Sequence, residues 1–178
     1  MRKRVSNYKM IVSAMLLAVA YILPFFTGQI PQIGSMLCPM HIPVLLCGFL
    51  CGEFWGGAVG LFVPILRSIT LGMPVLFPMA ICMAFELCTY GIVAGCLHKV
   101  WKGRFLYASL LLSMTIGRLA WGFAMFLCMK AIGGEFGLSA FLAGAVTNAI
   151  PGIVAQIILV PILVKFVERM KVKNESAL

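Results

Sequence analysis

The stretch Thr115–Met129, TIGRLAWGFAMFLCM, decides the fold, because it sets Arg118 inside a run otherwise apolar enough to lie in lipid. A guanidinium at the bilayer centre costs at least about 2.5 kcal/mol, so it has to face protein, a partner charge or a water-filled cavity. Thr115 and Trp121 stand three positions to either side of it, and Met125 lies one turn beyond Trp121. That spacing predicts a mixed polar and apolar helix face, as in a ligand pocket. A second reading pairs Arg118 with Glu86, the one comparably deep carboxylate, to fix helix packing; the two roles are compatible.

The rest of the chain agrees with a lipid setting. Of 178 residues, 62 % are hydrophobic and 11 % charged, with mean hydropathy +1.07, whereas a soluble domain is about 25 % charged. The expected fold is an all-α integral membrane protein, a single membrane domain over residues 1–178. The formal net charge of +9 decides little until the charges are placed. Eleven of the fourteen Lys and Arg fall in three clusters: Arg2, Lys3, Arg4 and Lys9; Lys99, Lys102 and Arg104; Lys165, Arg169, Lys171 and Lys173. With alternating spans all three lie on one side, which the positive-inside rule makes the cytoplasm, together with both termini. The basicity therefore encodes topology, and no nucleic-acid partner is expected, since no basic patch is interleaved with aromatics. The basic start and apolar run also fit a signal peptide, but Tyr21–Gln29 offers no small-x-small cleavage site, so an uncleaved first span is expected.

Met10–Gly52 carries no charged residue over 43 positions, far more than one bilayer crossing accommodates. Pro24, Gly28, Pro31, Gly34, Pro39 and Pro43 break it. The reading is a first span over about 9–26, an external loop Thr27–Met40 bearing Gln29, Gln32 and Ser35, and a short apolar piece over 41–52 that begins at His41. Spans over about 54–71, 76–98, 105–131 and 138–167 complete six transmembrane helices. Residues 41–71 form either two spans, the favoured reading, or a re-entrant hairpin. Gly56 and Gly60 give a small-xxx-small face for close helix contact. Asn148, Gly152 and Gln156 make a polar stripe at i, i+4, i+8.

The chemistry that is missing narrows the function. The chain contains no Asp and no GxxxxGK[ST] sequence, so it lacks the usual phosphate loop for ATP and any active transport needs a separate motor. The seven cysteines are odd in number and mostly within spans, which argues against a disulfide framework. Cys47 and Cys51, one turn apart, have no His or further Cys at zinc-site spacing. No cofactor, metal or catalytic constellation is expected. What remains is a set of polar groups in the outer half: Arg67, Arg118 and Lys130 against Glu86 and Glu135, with Gln29, Gln32, Tyr90, Trp121 and Asn148. If Glu86 neutralises one arginine, a cation is left in an apolar pocket, which suits an anionic solute. Interface anchoring by snorkelling is the alternative for Arg67 and Lys130.

The runs GQIPQIGSMLCPMHIPVLLCGFLCG (28–52) and PILRSITLGMPVLFPMAICMAFELCTYG (64–91), then GRLAWG (117–122) and NAIPGI (148–153), resemble the substrate-binding S components of bacterial energy-coupling factor (ECF) transporters. The resemblance covers roughly residues 9–168. It implies a multi-pass protein of the bacterial cell membrane that captures a small vitamin from outside and works with a membrane coupling subunit and two cytoplasmic ATPases. It also implies that Ala14 and Ala18 match the family's Ala-x-x-x-Ala contact with the coupling subunit. The implied pocket comprises the Thr27–Met40 loop, Glu86, Tyr90, Arg118, Trp121 and Asn148; with Gln29 and Gln32 of that loop, His41 and Arg67 complete the candidate substrate-binding residues. Pantothenate leads as cargo because the pocket reads as positive, ahead of riboflavin or another vitamin. The alternatives are a stand-alone channel or facilitator for a small anion and, further off, an intramembrane enzyme.

Overall fold

A computed structural model describes residues 2–27, 39–101, 103–134, 136–145 and 149–175, and the described residues contain helices and turns with no strand. Helix α1 spans Arg2–Ile22 and continues into a 3-10 turn, Leu23–Thr27, at Pro24. Then come α2 (His41–Cys51), α3 (Glu53–Leu71), a wide turn Leu76–Ala80, α4 (Ile81–Val100), α5 (Leu106–Ala131), α6 (Leu138–Ala145) and α7 (Ile150–Glu175).

Among the described residues, five segments are long and apolar enough to cross a membrane: Asn7–Phe26, Glu53–Leu71, Leu76–Val100, Leu106–Ala131 and Ile150–Met170. Two expected spans differ. The eleven residues of α2 reach about 16 Å, roughly half a hydrocarbon core. The segment expected as one span over 138–167 comprises the separate helices α6 and α7, with 146–148 outside the described residues. Asn148 belongs to that interval.

Helix α2 is the centre of the molecule rather than a lipid-facing span. Nine of its residues, including Val44, Leu45, Cys47 and Phe49, are buried, as expected of a helix apolar on every side. It packs on α1, α3, α4 and α7. Gly52, at φ 98°, turns the chain sharply between α2 and α3, a conformation that Cβ-bearing residues avoid. The two helices fold back so closely that a Cβ on Gly56 would stand 2.6 Å from the Cα of Gly48. A main core joins Leu45, Leu87, Tyr90, Leu110, Val160 and Val164, and a smaller cluster holds Cys82, Trp121, Ala124 and Met125. The outer surface carries Ile69, Phe85, Phe123 and Phe166, all well exposed, an apolar surface of the kind that lipid covers.

One end of the bundle collects the basic clusters. Lys99 Nζ lies 2.9 Å from Glu53 Oε1 and His98 Nε2 lies 3.3 Å from Glu168 Oε1, which brings the start of α3 and the ends of α4 and α7 together. Lys9 of α1 reaches the Gly52 corner at the same end. The start of α1, the α4–α5 connection and the end of α7 therefore share one side. The starts of α2 and α4 and the end of α3 face the other side, where the candidate site lies.

Candidate functional site

Glu86 is the hub. It stands in the second turn of α4, 1 % exposed, and its Oε1 takes Arg118 NH1 of α5 at 3.0 Å and the Tyr90 hydroxyl, donating from one turn along, at 3.0 Å. His41 Nε2, from the start of α2, lies 3.3 Å from the same oxygen. A single carboxylate oxygen thus ties α2, α4 and α5 together. The guanidinium supplies the opposite charge that a buried carboxylate requires, and the phenol adds a hydrogen bond. The His41 and Tyr90 rings pack edge to face with centroids 5.3 Å apart.

Local sequence explains this convergence. Glu86 and Tyr90 are i and i+4 on α4 and so share a face. Gly117 on α5 makes room for the Tyr90 ring, since a Cβ there would overlap Tyr90 Cδ1 and Cε1. That close approach brings Arg118 to Glu86. The expected role of Thr115 is not seen: it is exposed, and its hydroxyl donates to the Leu111 carbonyl at 2.9 Å. The buried face of α5 runs through Ser113, Gly117 and Trp121 instead. Trp121 stacks on Phe141 of α6 at 6.3 Å and meets Phe136 edge-on at 5.9 Å, forming an aromatic wall one turn from Arg118.

Arg67 belongs to a different structure. It is 4 % exposed, and its NH1 donates to the Tyr21 carbonyl at 2.6 Å, with the guanidinium over the rings of Tyr21 and Phe25 at 5.9 and 5.4 Å. A cation there satisfies an orphan carbonyl of the last turn of α1 and meets the negative end of that helix. Snorkelling is therefore wrong for Arg67, whose charge turns inward to lock α1 onto α3. Lys130 remains at the surface above Phe126, 5.4 Å from its centroid. The surplus positive charge expected in one pocket is thus divided among three places.

Gln29, Gln32 and Asn148 lie outside the described residues. Within the described part, the structure brings together His41, Glu86, Tyr90 and Arg118, with Trp121 adjoining them on α5. Gln156, which the polar stripe singled out, is fully buried on α7, and neither atom of its amide has a hydrogen-bond partner among the described residues. A buried amide left so costs about 1–3 kcal/mol. Ala14 and Ala18 are both exposed on α1, on a face shared with Ile11, Met15 and Ile22.

The chemistry open to this arrangement is binding of an anionic group. Glu86 is sealed behind its donors, while the Arg118 side chain, at 14 % exposure, is the more open member of the pair. A guanidinium held in place from behind suits planar recognition of an oxyanion.

No curated protein and no solved structure matches this chain. A family model described as the ECF transporter substrate-specific component matches residues 8–164. That match takes in every described helix from α1 to most of α7, including each member of the Glu86 cluster, and the chain belongs to the family of ECF transporter substrate-specific components.

Proposed function

We propose that this chain captures a small, water-soluble, anionic vitamin from outside the cell and delivers it through an ECF-type importer of the bacterial cell membrane. Pantothenate is the leading cargo; riboflavin, uncharged at neutral pH, is the alternative that would replace the anionic reading. The observation that carries the reading is Arg118, fixed by the buried carboxylate of Glu86 at 3.0 Å and yet the more open of the two. Trp121 supplies an apolar wall beside it, and the Gln29, Gln32 and Asn148 amides are assigned to the polar part of the cargo. Substrate-specific components are specificity subunits rather than enzymes. A chain without a phosphate loop takes its drive from elsewhere, here a coupling subunit and two ATPases.

In this reading the basic end is cytoplasmic. The six spans of the proposed topology count α2 as a short one and α6 with α7 as the last. The cargo site then opens outward.

Titration of pantothenate into the purified chain tests the assignment. Arg118→Lys keeps the charge but loses the two-pronged fit, and Arg118→Ala loses both, so affinity should fall roughly ten- to a hundredfold in the alanine variant and less in the lysine variant. Unaltered affinity in folded Arg118→Ala would remove this residue from the site. Mass spectrometry of compounds that co-purify with the wild type identifies the cargo, and a neutral or cationic compound would overturn the anionic reading.

The coupling face carries a separate expectation. Ala14 and Ala18 leave a shallow, exposed strip on α1, where a partner helix can approach closely. Ala18→Trp should abolish uptake in cells while leaving cargo affinity of the isolated chain unchanged. Normal assembly and uptake in that variant would show that the strip faces only lipid.

A further inference from the structure

At the basic end, far from Glu86, a cavity of about 420 Å³ lies where α1, the α2–α3 corner and the last turn of α4 meet. Its size falls in the range of small-ligand sites. Lys9, Glu53, Phe54, Trp55, His98 and Lys99 contribute to its lining. The corner residue Gly52, at φ 98°, presents no side chain, and Lys9 Nζ lies 3.8 Å from where its Cβ would be. Any larger residue would be strained at that φ and would stand beside the ammonium.

The charges do not cancel. Lys99 is paired with Glu53 at 2.9 Å and His98 with Glu168 at 3.3 Å. Lys9 has no ion pair among the described residues. The lining thus holds two ammonium groups against one carboxylate, leaving a positive surplus that an anionic group would complement. The flank is apolar and open: Phe54 is 74 % exposed and Val100, next to Lys99, is 70 % exposed. A site with cations inside, an indole at the rim and exposed hydrocarbon beside it matches an anionic head that carries acyl chains.

We propose that this cavity binds the phosphate-bearing headgroup of an anionic membrane lipid, with the phosphate between Lys9 and Lys99 and the acyl chains along the Phe54 flank. The site is independent of the cargo pocket and of the cargo's identity. A lipid held there fixes α1 against the α2–α3 corner, the region next to the exposed Ala14 and Ala18 strip.

Native mass spectrometry of the full chain, offered equal amounts of phosphatidylglycerol and phosphatidylcholine in detergent, tests this directly. Phosphatidylglycerol should be retained in preference, and the preference should fall roughly tenfold in Lys9→Gln, the loss expected for one charge-assisted contact. Lys165→Gln, which removes a basic residue of the same end that does not line the cavity, should leave the preference intact. Equal retention of the two lipids, or equal losses in the two variants, would overturn the site in favour of general surface attraction. Thermal unfolding with inorganic phosphate separates the sources: no stabilisation supports a lipid, whereas stabilisation equal to that given by phosphatidylglycerol would assign the cavity to free phosphate and overturn the lipid reading.

Discussion

Glu86→Ala should lower the melting temperature of the full chain in detergent by roughly 6–20 °C, the equivalent of about 3–5 kcal/mol in a chain of this size. Two donors converge on Glu86 Oε1, namely Arg118 NH1 at 3.0 Å and the Tyr90 hydroxyl at 3.0 Å, and His41 Nε2 lies 3.3 Å from the same oxygen. Removing the carboxylate takes a 3.0 Å ion pair from a largely buried guanidinium and a 3.0 Å hydrogen bond from a fully buried phenol, and the loss at the charged group dominates the cost. Glu86→Gln keeps an oxygen acceptor in nearly the same place and loses only the charge, so its loss should be smaller. Combining Glu86→Gln with Arg118→Met removes both charges, and that double variant should recover part of the stability lost in either single one. Cargo affinity should not recover with it, because the guanidinium is gone. A melting temperature in Glu86→Ala equal to that of the wild type would show that the guanidinium is solvated without its partner, and would end the view of Glu86 as the hub.

The Arg118–Glu86 pair was legible because lipid makes deep charges costly and the chain has few of them; each had little choice of partner. Tyr90 was legible for a simpler reason, its i+4 spacing from Glu86. Other features leave no such mark. Arg67 satisfies a backbone carbonyl of Tyr21, and a carbonyl has no residue type by which a sequence can announce it. Helical spacing puts Thr115 on the face of Arg118 and Gly117 off it, yet the buried face runs through Gly117, because the Tyr90 ring on another helix packs there. The shortness of α2 could be read from Gly52 and the prolines before it. That its burial is nearly complete follows from four neighbours packing around it, which is tertiary information. The small-xxx-small spacing of Gly56 and Gly60 has a counterpart in Gly91 and Gly95, and all four glycines stand at close backbone contacts.

That counterpart carries the other large effect. Gly91→Leu should abolish the folded state or reduce it to a minor fraction, and Gly91→Ala should already be strongly destabilising. A Cβ on Gly91 would overlap the carbonyl of Gly56, while the Gly91 carbonyl in turn lies 2.6 Å from a Cβ built on Gly48 and 2.8 Å from one on Gly56. These obstacles are backbone atoms, which cannot rotate aside, so α3 and α4 would have to separate along their contact. Forcing extra methylenes into a packed interior costs about 1–3 kcal/mol where side chains can give way, and more where they cannot. Gly57, on α3 beside Gly56, provides the control. Its Cβ would meet the Ile92 side chain, with Cγ1 at 2.7 Å and Cδ1 at 3.2 Å, but Ile92 is exposed and its side chain has room to shift where a backbone carbonyl has none. Gly57→Ala should therefore cost clearly less than Gly91→Ala, as measured by thermal unfolding of both in the same detergent. Because Gly91 follows Tyr90 directly, a shift of α4 also carries Tyr90 and Glu86 away from Arg118, so any folded Gly91→Ala should bind cargo more weakly while Gly57→Ala binds as the wild type does. Equal stability of the two alanine variants would mean that α3 and α4 do not approach at their glycines, and the close packing that positions the Glu86 cluster would have to be abandoned.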